Sequence, residues 1–121
     1  MGTPFGRIPQ LVVCCRSSGG FVVHAHPFRA DRAGVIRLHP HQVDAVEIIN
    51  TGRTDEVNRL AAQYAENYGL PGFAGSDTHG GAKESFAGLS FSTRLTGIHD
   101  MIARFKNGEA KLFREASAQG F

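Results

Sequence analysis

Two parts of the sequence carry side chains that can bind a metal ion. Asp77 and His79 stand two residues apart, directly after a short apolar run. His24 and His26 have the same spacing and also follow an apolar run, and Pro27 comes next. Because side chains alternate between the faces of a strand, residues two apart at a strand end point the same way. Both patterns therefore predict pairs of ligands at strand ends.

Imidazole nitrogen and carboxylate oxygen are ligands that suit Zn, Mn or Fe, with Mg as a further candidate. A metal ion that keeps one position open for water lowers the pKa of that water toward neutrality, which favours phosphoester hydrolysis. We predict that His26, Asp77 and His79 are metal ligands. The attacking group would be the activated water, so no side chain is assigned as the catalytic residue.

Each of these residues also has a structural alternative. A histidine beside a strand end often bonds to a backbone carbonyl, and an aspartate after Gly-Ser is a typical turn or N-cap residue. Glu47 is a candidate base or ligand, or it faces solvent. His39 and His41 are weaker candidates for further ligands or phosphate contacts, because they stand in an irregular segment. The convergence of two motifs on one sheet edge favours the metal site.

Polar residues near the two motifs are candidate contacts to an anionic substrate. We predict that Arg29, which follows His26, and His24 bind the substrate. Lys83 follows His79 and is a further candidate. Surface ion pairing is the usual alternative for such residues.

The residues between the motifs predict alternating strands and helices. The apolar patterns predict strands at 21–25, 43–50, 72–76, 87–92 and 110–113, and helices at 55–68 and 97–107. Thr54 is the expected N-cap of the first helix, and Gly69 its end. Residues 1–19 are predicted to be an irregular leader or an adapted strand. This alternation indicates an α/β fold with a mostly parallel sheet, flanking helices and a site at the C-terminal strand ends.

The composition narrows the class of protein. The chain has 121 residues, of which 41% are hydrophobic and 20% charged, as expected for one globular domain. A net charge of +2 with dispersed basic residues does not indicate a nucleic-acid surface. The apolar run 11–15 is too short to span a membrane. Adjacent Cys14 and Cys15 are expected to be core residues rather than a redox or metal site. We therefore expect a cytoplasmic protein that does not bind membranes.

Three segments, in this order, resemble the PHP (polymerase and histidinol phosphatase) superfamily. They are residues 19–29 (GGFVVHAHPFR), 43–50 (VDAVEIIN) and 72–80 (GFAGSDTHG). The resemblance implies a metal-dependent phosphoesterase with a distorted β/α barrel and a cluster of divalent metal ions at the C-terminal strand ends. It also implies that His26, Asp77 and His79 are ligands, and that the substrate is a phosphorylated small molecule or a nucleotide.

The N-terminal motifs of the family have no counterpart before residue 19. The resemblance therefore implies that residues 20–121 form the second, C-terminal half of a PHP-like barrel. Half a barrel leaves sheet edges open, so we expect a homo-oligomer, or a partner chain that covers the open edge. The first function predicted is a metal-dependent phosphoesterase or a fragment of one. The alternative is a degenerate, catalytically inactive PHP-like domain that binds metal or protein; a metallohydrolase acting on amide bonds is least favoured.

Overall fold

The computed structural model describes residues 4–28, 38–78 and 85–116. The helices are α1 (Pro4–Ser17), α2 (Asp55–Asn67) and α3 (Ile98–Lys106), with a short 3-10 helix at Pro40–Gln42. The strands are β1 (Val23–His24), β2 (Ala45–Asn50), β3 (Gly72–Gly75), β4 (Ser85–Ser90) and β5 (Lys111–Ala116). Over these ranges, no helix has both the length and the apolar character that crossing a membrane requires.

The strands form two sheets. β1, β2 and β3 are parallel, and β2 lies in the centre, with His24 beside Val46 and Asn50 beside Gly75. β4 and β5 form a separate antiparallel pair. The predicted α/β class with a parallel sheet and helices is confirmed. β4 and β5 lie outside the parallel sheet, because β5 returns along β4 after α3. The described strands do not close into a barrel.

Side-chain hydroxyl groups connect the two sheets. Ser76 Oγ accepts a hydrogen bond from Ala87 N at 2.9 Å and donates one to Ala87 O at 3.1 Å. Thr51 Oγ1 donates to Ser85 O at 3.3 Å. The segments that follow β2 and β3 are therefore attached directly to β4.

Helix α1 replaces the irregular leader or adapted strand predicted for residues 1–19. Its residue Val12 is buried, and Arg16 donates to the carbonyl of His41 at 2.8 Å and to Asp44 Oδ1 at 2.9 Å. The helix ends at Ser17, and Gly19 beyond it has a φ of 83°, which suits glycine. Serine and glycine after residue 16 thus end a helix. The helix depends on these tertiary contacts, which the local sequence does not reveal.

Helix α2 forms where the sequence predicts it. Thr54 Oγ1 accepts a hydrogen bond from Val57 N at 3.2 Å, so Thr54 is the N-cap. The helix ends at Gly69, whose φ is 63°, and Leu70 N bonds to Ala65 O at 2.8 Å. The apolar stripe of α2 packs on β2, and the buried core comprises Val43, Val46, Tyr64 and Ala65. This packing fixes α2 against the central strand.

Helix α3 confirms the prediction for residues 97–107 and packs through Phe105. The Phe105 ring centroid lies 5.3 Å from that of Phe21 and 5.4 Å from that of Phe73. A cavity of about 320 Å³ adjoins this cluster and is lined mainly by apolar side chains, including Val23 and Met101.

Candidate active site at the C-terminal edge of the parallel sheet

The C-terminal ends of the three parallel strands meet at one edge of the sheet. β1 ends at His24, β2 at Asn50 and β3 at Gly75. His26 and Asp77 each follow a strand by two residues, as the sequence predicts. Ligands of α/β proteins bind at this edge of the sheet. The edge is therefore the candidate site.

Two histidines at this edge have buried nitrogens without partners. The Nδ1 atoms of His24 and His26 are buried, and neither forms a hydrogen bond within the part of the chain that is described. Burial lowers the pKa of His24, and the nearby charge of His26 lowers that pKa further. Both effects favour the neutral imidazole, which is the form that binds metals. A buried nitrogen without a partner fits a ligand position.

His26 and Asp77 share an unusual backbone conformation. Their φ angles are 26° and 54°, in the left-handed region that residues other than glycine rarely occupy. Such residues often cluster at functional sites, because the surrounding structure must hold them there. The two predicted ligands thus resemble each other in backbone geometry as well as in position.

Glu47 faces the C-terminal edge of the sheet. The sequence alone did not decide between this position and one that faces solvent. Its Oε1 accepts hydrogen bonds from the backbone N–H of His26 at 3.0 Å and from Asn50 Nδ2 at 2.8 Å. A Cβ atom at Gly75 would lie 2.5 Å from Glu47 Oε2, so a glycine makes room for this carboxylate. The signal available in the sequence was an acidic residue inside an apolar strand.

Asn50 connects the two carboxylates, and sequence reasoning missed it. The residue is 1% exposed. Its Nδ2 donates to Glu47 Oε1 and makes a longer hydrogen bond of 3.4 Å to Asp77 Oδ2. Its Oδ1 accepts from Gly52 N at 2.8 Å. The Asn50 carboxamide therefore fixes the separation of Glu47 and Asp77.

Arg53 brings a cation to the same edge, and this residue was also missed. Its Nε lies 3.3 Å from Asp77 Oδ2, and the side chain is 24% exposed. Arg53 follows the turn after β2, so its proximity to Asp77 depends on the pairing of β2 with β3. A partly exposed guanidinium beside a carboxylate can bind phosphate oxygens through its remaining N–H groups.

The outcome for the predicted residues is mixed. The structure brings Asp77, Glu47 and the backbone of His26 together through hydrogen bonds, and it places His24 at the same edge. His79 and Arg29 lie outside the described residues. Within residues 4–28, 38–78 and 85–116, no three His, Cys, Asp or Glu residues are grouped so that they could hold a metal ion. The predicted ligand set is therefore described only in part.

The other candidates lie away from this edge. His39 and His41 have stacked rings, 5.7 Å apart with planes 5° from parallel, and flank Pro40 before the start of β2. They therefore lie at the N-terminal ends of the parallel strands, away from the candidate site. Cys14 and Cys15 lie on α1, where Cys14 is exposed, contrary to the expected core position. These residues are not part of the candidate site.

A family model described as PHP-associated matches residues 55–82. The chain carries a PHP-associated region. This region contains α2, β3 and Asp77, so the predicted resemblance to the C-terminal part of PHP proteins is confirmed there. The residues of the candidate site that lie on β1 and β2 precede the matched region in the sequence.

A curated relative extends beyond this region. The chain is 27% identical over 78 residues to a protein named 5'-3' exoribonuclease from Haemophilus influenzae. The aligned residues are 60% of this chain and 28% of the relative, so the chain spans less than a third of that protein. No solved structure matches the chain.

Proposed function

We propose that this PHP-associated chain is a metal-dependent phosphoesterase, or part of one, and that the C-terminal edge of the parallel sheet is its active site. One observation carries the proposal: the carboxylates of Glu47 and Asp77, connected through Asn50, share this edge with the unpartnered imidazole nitrogens of His24 and His26. Nitrogen and carboxylate donors at parallel strand ends suit a hydrolytic metal site.

The proposed metal ligands are His26, Asp77 and His79. The buried, unpartnered Nδ1 of His26 fits a ligand position, and the donor set suits Zn, Mn or Fe, with Mg as an alternative. A bound ion of this kind supplies a water of lowered pKa and a positive charge for phosphate oxygens. The contribution of the chain is to hold the donors: Glu47 anchors the backbone of His26, and Arg53 neutralises part of the charge on Asp77.

The proposed substrate is a phosphoester at the end of a nucleotide or RNA chain. The name of the Haemophilus influenzae relative, 5'-3' exoribonuclease, supports this substrate class. Arg53 is the described residue placed best to orient a phosphate group, because its guanidinium lies at the site and is partly exposed. Arg29 and His24 remain proposed contacts. A cytoplasmic location is part of the same proposal.

We also propose that the chain self-associates and that this association covers the open side of the parallel sheet. Among the described strands, β1 is an outer strand of the parallel sheet and has only two residues, so its outer side has no strand partner within residues 4–28, 38–78 and 85–116. A second copy of the chain, or a partner chain, would pair with it. Light scattering at several protein concentrations tests this proposal: a mass above that of one chain supports it, and a monomer throughout contradicts it.

The first test of the function is the metal content of the purified chain. We expect about one or more Zn, Mn or Fe ions per chain, lost in Asp77→Ala. Asp55→Ala is the matched control, because Asp55 is exposed and pairs only with Arg114 among the contacts described. Hydrolysis of 5'-phosphorylated RNA and of a nucleotide monophosphate would then be measured with the metal-loaded protein. Absence of metal after incubation with excess Mn and Zn would refute the proposal.

A second candidate is a PHP-like domain that binds metal or protein without turnover. Stoichiometric metal binding without hydrolysis of either substrate would support this candidate. Hydrolysis that is lost in Asp77→Ala would exclude it.

A further inference from the structure

We infer that Asn58 on α2 is a positioning residue for this site, because it holds the backbone of Asn50, whose carboxamide in turn fixes Glu47 and Asp77. The expected effect of Asn58 on metal binding rests on the proposed function. Its effect on the position of Asn50 does not. Asn58 itself contacts neither carboxylate in the described hydrogen bonds. It acts through Asn50.

The first step is the reciprocal bonding between Asn58 and Asn50. Asn50 N donates to Asn58 Oδ1 at 3.1 Å, and Asn58 Nδ2 donates to Asn50 O at 3.1 Å. One carboxamide thus satisfies both backbone groups of one residue. Asn58 is 8% exposed and stands on the buried face of α2, between Val57 and Ala61 in the core. An amide at such a position is unfavourable unless it is fully hydrogen-bonded.

The second step is the reason why Asn50 needs this partner. Thr51 N donates to Gly75 O of β3 at 3.2 Å. Backbone groups of successive strand residues point to opposite sides, so the N–H and C=O of Asn50 point away from β3. β1 would be the neighbour on that side, but its last pair is His24 with Val46, four residues before Asn50. The Asn58 carboxamide takes the place of a strand there: it is the described acceptor for Asn50 N, and it shares Asn50 O with Arg53 N, which donates at 3.1 Å.

The third step leads from the backbone of Asn50 to the site. Each polar group of its side chain has a partner: Oδ1 accepts from Gly52 N, and Nδ2 donates to Glu47 Oε1 and Asp77 Oδ2. Any rotation of the Asn50 backbone would break these contacts together. Glu47 would then lose one of the two donors that orient it, while His26 N remains as the other. Partners one step removed from a metal ligand typically alter metal affinity by about 10- to 100-fold.

The test compares Asn58→Ala with Ala61→Gly in the full chain. Ala61 is buried on the same helix and has no part in the Asn50 contacts, so its variant controls for loss of stability. Amide hydrogen exchange provides a readout that does not need a metal. We expect Asn58→Ala to lose protection selectively at the amides of Asn50 and Gly52, which bond to Asn58 Oδ1 and Asn50 Oδ1, whereas Ala61→Gly changes protection across the chain in proportion to its stability. Loss at Asn50 alone, with Gly52 unchanged, would overturn the inference.

Metal titration provides the second readout. With Mn²⁺ as the probe and both variants shown to be folded, we expect Asn58→Ala to bind Mn²⁺ more weakly than the wild type, by up to about tenfold, and Ala61→Gly to bind like the wild type. Equal affinity of Asn58→Ala and wild type would overturn the positioning role. If the wild-type chain binds no Mn²⁺, the proposed function fails, while the exchange pattern still decides whether Asn58 positions Asn50.

Discussion

The backbone N–H of His26 donates a hydrogen bond of 3.0 Å to Glu47 Oε1, so a side chain of β2 holds the segment that follows β1. β1 itself has only two residues and pairs with β2 through Val23 and His24. The Glu47 carboxylate therefore extends the connection between the two strands beyond their backbone pairing. His26 has a φ of 26° in this segment.

This contact predicts different effects for two substitutions of Glu47. Glu47→Ala should lower the free energy of unfolding by about 1–3 kcal/mol, because the buried donors of His26 and Asn50 lose their acceptor. Glu47→Gln retains a carbonyl acceptor, so its loss of stability should be smaller. Urea denaturation measures both, with the exposed Glu66→Ala as control. Equal losses for Glu47→Ala and Glu66→Ala would contradict the assignment.

Gly75→Ala should displace the Glu47 carboxylate. The added Cβ would lie 2.5 Å from Glu47 Oε2, which forces the carboxylate away from His26 and Asn50. We expect a loss of about 1–3 kcal/mol in the free energy of unfolding. Gly97→Ala is the control, because no heavy atom lies within 4 Å of a Cβ built there.

A double-mutant cycle makes the Gly75 prediction specific. If the loss arises from the clash with the carboxylate, combining Gly75→Ala with Glu47→Ala should cost less than the sum of the two single effects. Strict additivity would mean that the two positions are independent, contrary to the geometry.

Arg53→Gln should weaken substrate binding. Under the proposed function, the guanidinium orients a phosphate group, so its loss should raise KM by about tenfold or more, with a smaller change in kcat. Arg53→Lys should restore part of the affinity, because it keeps the charge but not the planar fork. Arg59→Gln is the matched control, since Arg59 pairs with Glu56 on the exposed side of α2. An unchanged KM in Arg53→Gln would exclude this role.

Thr54→Ala should destabilise α2 without affecting the site. The substitution removes the oxygen that accepts from Val57 N, and the expected loss is about 1 kcal/mol. Thr54→Ser keeps the hydroxyl group and should behave like the wild type in thermal unfolding. If Thr54→Ala had the stability of Thr54→Ser, the capping bond would contribute nothing.

The parts of the fold that local signals determine were predictable. α2 follows from Thr54, Gly69 and apolar residues at helical spacing, and β2 and β3 follow from short apolar runs. α1 could not be predicted in this way, because its formation is tied to the burial of Val12 and to the contact of Arg16 with Asp44. The direction of β5 could not be predicted either, because a helix between two strands does not by itself determine whether they run parallel.

In the candidate site, too, the features that depend on local sequence were predictable and those that depend on contacts between strands were not. Its place at the strand ends after β1 and β3 was predictable from the spacing of His26 and Asp77. The orientation of Glu47 was not, because alternation along a strand does not say which face is covered. An irregularity in the pairing of β2 with β3, between Glu47 and Ile49, breaks the simple alternation as well. Arg53 and Asn50 depend on contacts between strands, which no single segment encodes.

The Ser76 hydroxyl group bridges the N–H and C=O of Ala87 and so connects the neighbour of Asp77 to β4. β5, the last strand among the described residues, pairs with β4 from Ser85 to Ser90. We therefore expect a cut after Gly108 to loosen β4 and, through it, the Ser76 hydroxyl group. The surroundings of Asp77 are thus linked to residues more than thirty positions downstream.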